Sequence, residues 1–198
     1  MARKSFEDRR EEILRATLTV ITRRGFAATT TREVTDEIGV THGLLHHYFP
    51  ARDELLAAAF DLAAAEELAH LREEVAAGTD PLDRLRRYLR YYGPTSDDPM
   101  VLLWIDAWSE APRNETLAQT SRRQNRAWHG ILRELLAEGA AAGAFECPDP
   151  DDTAWVIIAL LDGLALQRVV ARSATAAQVA AAHRVIEHEL ALPAATIT

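Results

Sequence analysis

Glycine and proline are sparse in this sequence of 198 residues, with nine glycines and eight prolines, and they fall at regular intervals along it. Between them lie stretches rich in Ala, Leu, Glu and Arg, whose apolar residues repeat about every 3.6 residues with little of the alternation typical of strands. Helix starts are marked by capping side chains at Ser5, Thr30, Thr41 and Thr175 and by an aspartate before Pro81, Pro99 and Pro150. The pattern predicts an all-α protein of about nine helices with no strand.

The densest signal lies in residues 30–52, which read TTREVTDEIGVTHGLLHHYFPAR. Two capped helices flank the turn Gly39-Val40-Thr41, in which Gly39 supplies a left-handed backbone, Val40 fills the angle between the helices, and Thr41 caps the second helix. Apolar side chains are spaced to form a small core of Val34, Ile38, Val40, Leu45 and Phe49. This arrangement predicts a helix-turn-helix, whose second helix enters the major groove of DNA.

The net charge of −8 at first argues against nucleic acid as a partner, but the charges are unevenly distributed. Residues 1–52 carry seven acidic side chains and nine basic ones, namely Arg3, Lys4, Arg9, Arg10, Arg15, Arg23, Arg24, Arg32 and Arg52. Their net charge is +2, which leaves −10 for residues 53–198. A basic head on an acidic body suits a protein that presents one end to phosphates. We therefore expect a DNA-binding domain at residues 1–52 and a second domain at residues 53–198.

The head resembles the N-terminal domain of TetR-family transcriptional regulators over about residues 8–60. Shared features are the glycine after the first helix, the Thr-Thr-Arg opening of the second, the Gly-Val-Thr turn, the Gly–Leu–aromatic/His–Phe recognition helix and the Arg-Asp-Glu-Leu-Leu start of the fourth. Residues 43–49, the pair Trp104 and Trp108, and residues 161–164 are similar to the choline-responsive BetI-like branch. The resemblance implies a homodimeric repressor that a small-molecule effector releases from a palindromic operator, with ligand sensing and dimerisation in residues 53–198.

The resemblance also implies which residues contact DNA. Thr31, at the start of the second helix, offers a hydroxyl and backbone donors to a phosphate, and Arg32 can read guanine O6 and N7 as a bidentate pair. At base edges we expect Thr41, His42, Gly43, Leu44 and His46. On phosphates we expect His47, Tyr48 and Arg52.

Aromatic residues beyond the head have two interpretations. They fill the helical core, as aromatic side chains usually do, or they line an effector pocket inside the body. Trp104 and Trp108 lie one helical turn apart with Asp106 between them, so such a pocket would favour a cationic or aromatic ligand through cation–π attraction. The candidate pocket residues are Phe60, Tyr88, Tyr92, Trp104, Asp106, Trp108, Trp128 and Trp155.

Helices eight and nine are the expected dimer surface. A helix as apolar as residues 156–170 needs cover on more than one side, which antiparallel pairing with a second copy would provide. Dimerisation would also place two recognition helices about 34–36 Å apart, the spacing of successive major grooves. The rival interpretation is a DNA-binding dimer without small-molecule input, whose body only dimerises or recruits a protein partner.

The sequence offers little for catalysis or cofactors, and we expect neither an enzyme nor a bound cofactor. It contains no phosphate loop, serine elbow or HExxH pattern. His42 and His46 have the spacing of metal ligands, but without a carboxylate or cysteine among them we expect groove contacts instead. The single Cys147 fits a reducing compartment. With no signal peptide and no apolar run near the ~20 residues that span a bilayer, we expect a cytoplasmic protein without membrane contact.

Overall fold

A computed structural model of the chain describes residues 5–92, 99–171 and 176–197. These residues form nine α-helices, a 3-10 turn at Ala111–Arg113 and no strand, which confirms the all-α prediction. The helices are α1 Phe6–Arg24, α2 Thr31–Ile38, α3 His42–Tyr48, α4 Arg52–Ala76, α5 Pro81–Tyr92, α6 Pro99–Glu110, α7 Glu115–Ala141, α8 Pro150–Ala171 and α9 Ala176–Glu189. Arg3, Lys4 and the predicted cap at Thr175 lie outside the described residues.

The first three helices begin where their capping side chains predict. Ser5 Oγ accepts the backbone N–H of Asp8 at 3.0 Å, and the Asp8 carboxylate accepts the N–H of Ser5 at 3.2 Å. Thr30 and Glu33 make the same reciprocal pair at the start of α2. Hydrogen bonds from Thr30 also lower the pKa of the Glu33 carboxyl. Local sequence alone therefore fixes where α1 and α2 begin.

The helices divide into two compact units. Unit 1 comprises the chain up to Glu66 together with Pro99–Gln124, and unit 2 comprises the remainder. Large apolar residues fully buried in unit 1 include Ile13, Ile21, Phe26, Leu45, Leu55, Leu56, Phe60 and Leu117. The first part of α4, all of α6 and the start of α7 therefore pack in the same unit as the first three helices. The domain boundary after residue 52 stays a prediction.

Unit 2 has its own core. Hydrogen bonds from Arg86 and to Glu187 hold residues 195–197 in place, and this arrangement is here called the C-terminal clasp. Fully buried side chains there include Leu71, Leu85, Tyr88, Leu132, Leu136, Ile157 and Ile186. Arg86 donates two hydrogen bonds to the carbonyl of Thr196, at 2.8 and 2.6 Å. The buried Glu187 carboxylate accepts the N–H groups of Ala195 at 3.2 Å and Ile197 at 3.0 Å. The last residues are thus pinned to α5 and α9.

The clasp predicts a pH-dependent stability. Burial opposes ionisation of Glu187, but hydrogen bonds from the backbone N–H groups of residues 195–197 outweigh it and lower its pKa. A lowered folded-state pKa stabilises the fold above the unfolded value of about 4.3, and this contribution is lost as pH falls through the folded value. Glu187→Gln should therefore lower the melting temperature at pH 7, with a smaller difference from wild type near pH 3. The exposed Glu189→Gln is the control; an equal loss for both variants would contradict the clasp.

Replacing either of two glycines of α7 by alanine should have opposite effects on thermal stability. A Cβ at Gly139 would overlap with the ring of Phe145, whose Cε1 lies 2.5 Å from that position and whose side chain is buried. A Cβ at Gly130 would meet no atom of the described part of the chain within 4 Å. Overpacking costs about 1–3 kcal/mol, whereas alanine gains up to about 1 kcal/mol over glycine in a helix. Thermal unfolding should show Gly139→Ala melting lower and Gly130→Ala slightly higher than wild type. Equal shifts at both positions would refute this account.

The α8 helix leaves an apolar face exposed. Its outward residues, here called the α8 stripe, are Trp155, Ala159, Gly163, Leu166 and Val170. By length and composition alone, Pro150–Val170 is long and apolar enough to cross a membrane. The sequence-based expectation that no run has this length was wrong, since an average over the helix tolerates an isolated charge such as Asp162. The opposite side of α8 packs inside unit 2 through Ala154, Ile157 and Leu161.

Candidate functional site

The α2–turn–α3 segment has the predicted helix-turn-helix construction. Gly39 adopts the left-handed conformation, with φ 66° and ψ 37°, and ends α2. Thr41 then caps α3 by accepting the N–H of Leu44 at 3.2 Å. Val34 and Leu45, one from each helix, are buried in the core of unit 1. The second helix is thereby held at an angle to the first, with its opposite side turned outward.

None of the ten residues predicted to contact DNA is buried. The exposed ones are Arg32, Thr41, His42, Gly43, His46 and His47. The half-buried ones are Thr31, Leu44, Tyr48 and Arg52. The N-termini of α2 and α3 are joined by a hydrogen bond between Thr31 Oγ1 and His42 Nε2, at 3.1 Å. A predicted phosphate contact and a predicted base contact therefore lie side by side.

Phe6 is a member of this surface that the sequence did not reveal. Its ring stacks on Tyr48, with centroids 4.5 Å apart and planes at 25°, and meets His47 edge-on at 6.4 Å. The side chain remains 53 % exposed. The start of α1 therefore supports the end of the recognition helix, a contact between distant residues that periodicity does not encode.

Arg52 has partners other than those predicted. Its guanidinium donates to three backbone carbonyls of the α1–α2 loop, those of Thr29 at 2.7 Å, Phe26 at 2.5 Å and Ala27 at 3.0 Å. It also contacts the Asp53 carboxylate at 3.3 Å. The predicted phosphate contact stays a prediction, while the structure gives this side chain a role inside the head.

The eight predicted pocket residues fall into two sets. Unit 1 holds Phe60, Trp104, Asp106 and Trp108, and unit 2 holds Tyr88, Tyr92, Trp128 and Trp155. The Asp106 carboxylate, predicted to face a ligand, instead accepts the N–H of Phe26 at 2.7 Å. In unit 1, Trp104 packs edge-on against Phe60 at 4.8 Å and tilts against Trp108 at 5.6 Å. Asp106 is therefore part of the head's support.

In unit 2, a different carboxylate lies among the aromatic rings. Tyr92 donates its hydroxyl to Asp162 at 2.5 Å, stacks on Tyr88 at 5.8 Å and meets Trp128 edge-on at 5.3 Å. These four residues, Tyr88, Tyr92, Trp128 and Asp162, are here called the Asp162 cluster. Trp155 lies outside it, stacked on His129 at 4.2 Å and 44 % exposed on the α8 stripe.

The Asp162 cluster has unusual polar groups. Burial raises the pKa of the Asp162 carboxyl, and the hydrogen bond from Tyr92 opposes this rise. Burial also raises the pKa values of the Tyr88 and Tyr92 hydroxyls, which remain neutral donors. The Tyr88 hydroxyl and the Trp128 indole N–H are both buried without a hydrogen-bond partner among the residues that the structure describes. Such groups are rare in folded proteins and need an explanation.

The structure also bears on metal binding. Within the described ranges, no group of three or more His, Cys, Asp or Glu side chains is arranged to hold a metal ion. His42 engages Thr31, and His47 packs on Tyr48, in an edge-on contact at 5.5 Å. His42 and His47 therefore contact neighbouring side chains at the surface of the head.

Comparison with solved structures supports the fold. A transcriptional regulator from Saccharomonospora viridis, in complex with choline, matches with a TM-score of 0.81 at 22 % identity, covering 93 % of this chain and 98 % of that one. The regulator FadR from Bacillus subtilis, in complex with stearoyl-CoA, matches with a TM-score of 0.73 at 17 % identity, covering 91 % and 97 %. At these identities the likeness establishes the fold alone.

Sequence comparison establishes the family. Residues 13–59 match the bacterial regulatory proteins of the tetR family, and residues 81–191 match the C-terminal region of BetI-type transcriptional repressors. The regulator BetI of Burkholderia cenocepacia is 30 % identical over 172 residues, covering 83 % of this chain and 84 % of its own length. PksA of Bacillus subtilis is 28 % identical over 170 residues, covering 83 % and 80 %. The chain belongs to the TetR family of transcriptional regulators, with a C-terminal region of the BetI type.

Proposed function

We propose that the protein is a homodimeric, cytoplasmic repressor that binds a palindromic operator and leaves it when a small molecule binds the C-terminal region. The observation that carries this proposal is the exposed face of the helix-turn-helix, where Arg32 and His42 lie in the first turns of α2 and α3 and His46 lies one turn further along α3. Helix N-termini attract phosphate, and side chains at the start of a recognition helix reach base edges. This face carries the chemistry of operator recognition.

The α8 stripe supports dimerisation through α8 and α9. Val156 and Val185, one on each helix, add exposed apolar surface to it. A helix that crosses a bilayer would have to be apolar on all its sides. In α8, however, Asp162 accepts a hydrogen bond from Tyr92 within unit 2. A second copy covers one face and leaves the other in the core, so we assign the stripe to a twofold interface.

The Asp162 cluster supports a small organic cation as effector. A half-buried carboxylate beside three aromatic rings offers charge and cation–π attraction, and the two unpartnered donors offer hydrogen bonds to a polar group. Choline, which is bound in the structurally similar regulator from S. viridis, is a small organic cation of this kind. To relieve repression, the cation must bind the DNA-incompetent state more tightly than the DNA-bound one.

The full burial of Tyr88 supports the second candidate function, a DNA-binding dimer whose body has no small-molecule input. In that case the Asp162 cluster is core packing. The two functions predict the same operator and dimer but differ in response to ligand, so one experiment separates them.

The test begins with selection of bound sequences from random DNA by the purified wild-type protein. We expect a palindrome; recovery of no sequence preference would overturn the DNA-binding proposal. Anisotropy of the labelled palindrome is then followed with choline, spermidine and an aromatic amine, and with stearate as an anionic control. Release by a cation, lost in Asp162→Asn while operator affinity is kept, supports the effector proposal. Operator binding that none of these cations changes supports the second function.

A further inference from the structure

The loop of residues 25–29, between α1 and α2, is held by two other helices of unit 1. We propose that Asp106 and Arg52 are positioning residues for operator binding, which clamp this loop from α6 and α4 and so set the position of the recognition helices. The inference rests on the proposed function. It gives α6 a direct contact with this loop, in addition to the contact that Trp104 of α6 makes with Phe60 of α4.

Asp106 forms the first side of the clamp. Its Oδ2 accepts the Phe26 N–H at 2.7 Å, across 80 residues of sequence. Gly25 makes this approach possible, because its φ is +82° and a Cβ there would lie only 3.1 Å from the same carboxylate oxygen. Glycine at position 25 therefore both permits the turn after α1 and leaves room for the Asp106 carboxylate of α6.

Arg52 forms the second side. It is the first residue of α4, and its three hydrogen bonds reach the carbonyls of Phe26, Ala27 and Thr29. The Thr29 hydroxyl in turn donates to the Gly25 carbonyl at 2.7 Å. Arginine presents its donors in a rigid planar fork, which suits several fixed acceptors at once.

Phe26 is the point where the contacts meet. Its N–H is bound by α6, its carbonyl by Arg52, and its fully buried ring packs edge-on against Phe60 of α4 at 6.1 Å. Phe60 also contacts Trp104 of α6. Thr30, the cap of α2, lies only four residues after Phe26. A shift of α6 therefore reaches the start of α2, and with it Thr31 and Arg32.

The test of the first side compares Asp106→Ala, Asp106→Asn and the control Glu110→Ala, which removes a carboxylate one turn further along α6. Amide exchange at Phe26, measured by NMR, should accelerate at least about tenfold in Asp106→Ala alone. Affinity for the selected operator should fall about 3- to 10-fold in that variant, the scale of one lost hydrogen bond. Asparagine keeps an acceptor oxygen and should restore both.

Two results would overturn the inference alone. One is an unchanged Phe26 amide in Asp106→Ala, and the other is wild-type operator affinity in a variant whose Phe26 amide is released. A wild-type protein that selects no operator would instead overturn the proposed function and this inference together. Equal thermal stability of the alanine variants at 106 and 110 would separate positioning from general destabilisation.

The second side is tested with Arg52→Lys. Lysine keeps the charge but lacks the fork that spans three carbonyls. Because Arg52 acts as a positioning residue, the Arg52→Lys variant should bind the operator about 3- to 10-fold more weakly than wild type. The slope of its affinity against salt concentration should be unchanged. If Arg52→Lys binds like wild type while Arg52→Ala flattens the salt dependence, the residue acts through a phosphate, and the clamp is wrong on this side.

Discussion

Replacing Leu166 and Val170 together by glutamate should convert the proposed dimer to a monomer and lower operator affinity by about 10²–10⁴-fold, the range that linked binding sites typically supply. Both residues lie on the α8 stripe, 42 % and 74 % exposed in a single chain. A charge buried without a partner in a twofold interface occurs twice and is strongly unfavourable. Sedimentation velocity at micromolar concentration measures the first effect, and anisotropy with the selected operator measures the second.

The control for this prediction is Leu102→Glu. Leu102 is 54 % exposed on α6, so the change places one glutamate at an exposed apolar position outside α8 and α9. It should sediment as a dimer. Circular dichroism should show equal helix content in all variants, because residues this exposed contribute little to the core. A dimer that survives both α8 substitutions would show that the stripe is not the interface.

The features that the sequence predicted correctly are local ones. The capping pairs at Ser5 and Thr30 join residues three apart, and the left-handed turn needs only Gly39. Their geometry depends on backbone rules that hold in any protein. The helix-turn-helix follows from the same short-range signals, whereas the DNA contacts assigned to its residues stay predictions.

The features that the sequence missed join distant residues. The hydrogen bond from Phe26 to Asp106 spans 80 residues, that from Tyr92 to Asp162 spans 70, and that from Arg86 to the C-terminal clasp spans 110. Composition and periodicity give no information on which buried polar groups meet. Asp106 was assigned to a ligand because two tryptophans flank it in sequence, although its carboxylate faces the head.

The apolar helix α8 shows a further limit of sequence patterns. Its composition correctly predicted a helix. Its cover by a second copy stays a prediction, and the pattern did not say which side faces the core. The structure buries Ile157 and Leu161 and leaves Leu166 exposed. Exposure depends on how α8 packs in unit 2, so the α8 stripe became visible only from the fold.

Arg32→Ala should weaken binding to the selected operator by about 1–3 kcal/mol, or roughly 5- to 150-fold, the usual effect of losing a bidentate contact to guanine. Arg32 is exposed near the start of α2, one residue after Thr31, which is hydrogen-bonded to His42 of the recognition helix. Affinity for unrelated DNA should fall much less. Binding to unrelated DNA depends on phosphate contacts, whereas the contact that this variant loses is to a base. Anisotropy titrations with the operator and with a scrambled duplex measure the difference.

Arg23→Ala is the matched control, since it removes the same charge from an arginine that is paired with Glu37 at 3.0 Å. Its effect on the two duplexes should be small and equal. A repeated selection with Arg32→Ala gives the sharper result. Because a twofold dimer presents the same side chain to both half-sites, the preference should relax at one base pair in each half, related by the dyad of the palindrome. Relaxation at unrelated positions, or an unchanged palindrome, would mean that Arg32 does not read a base.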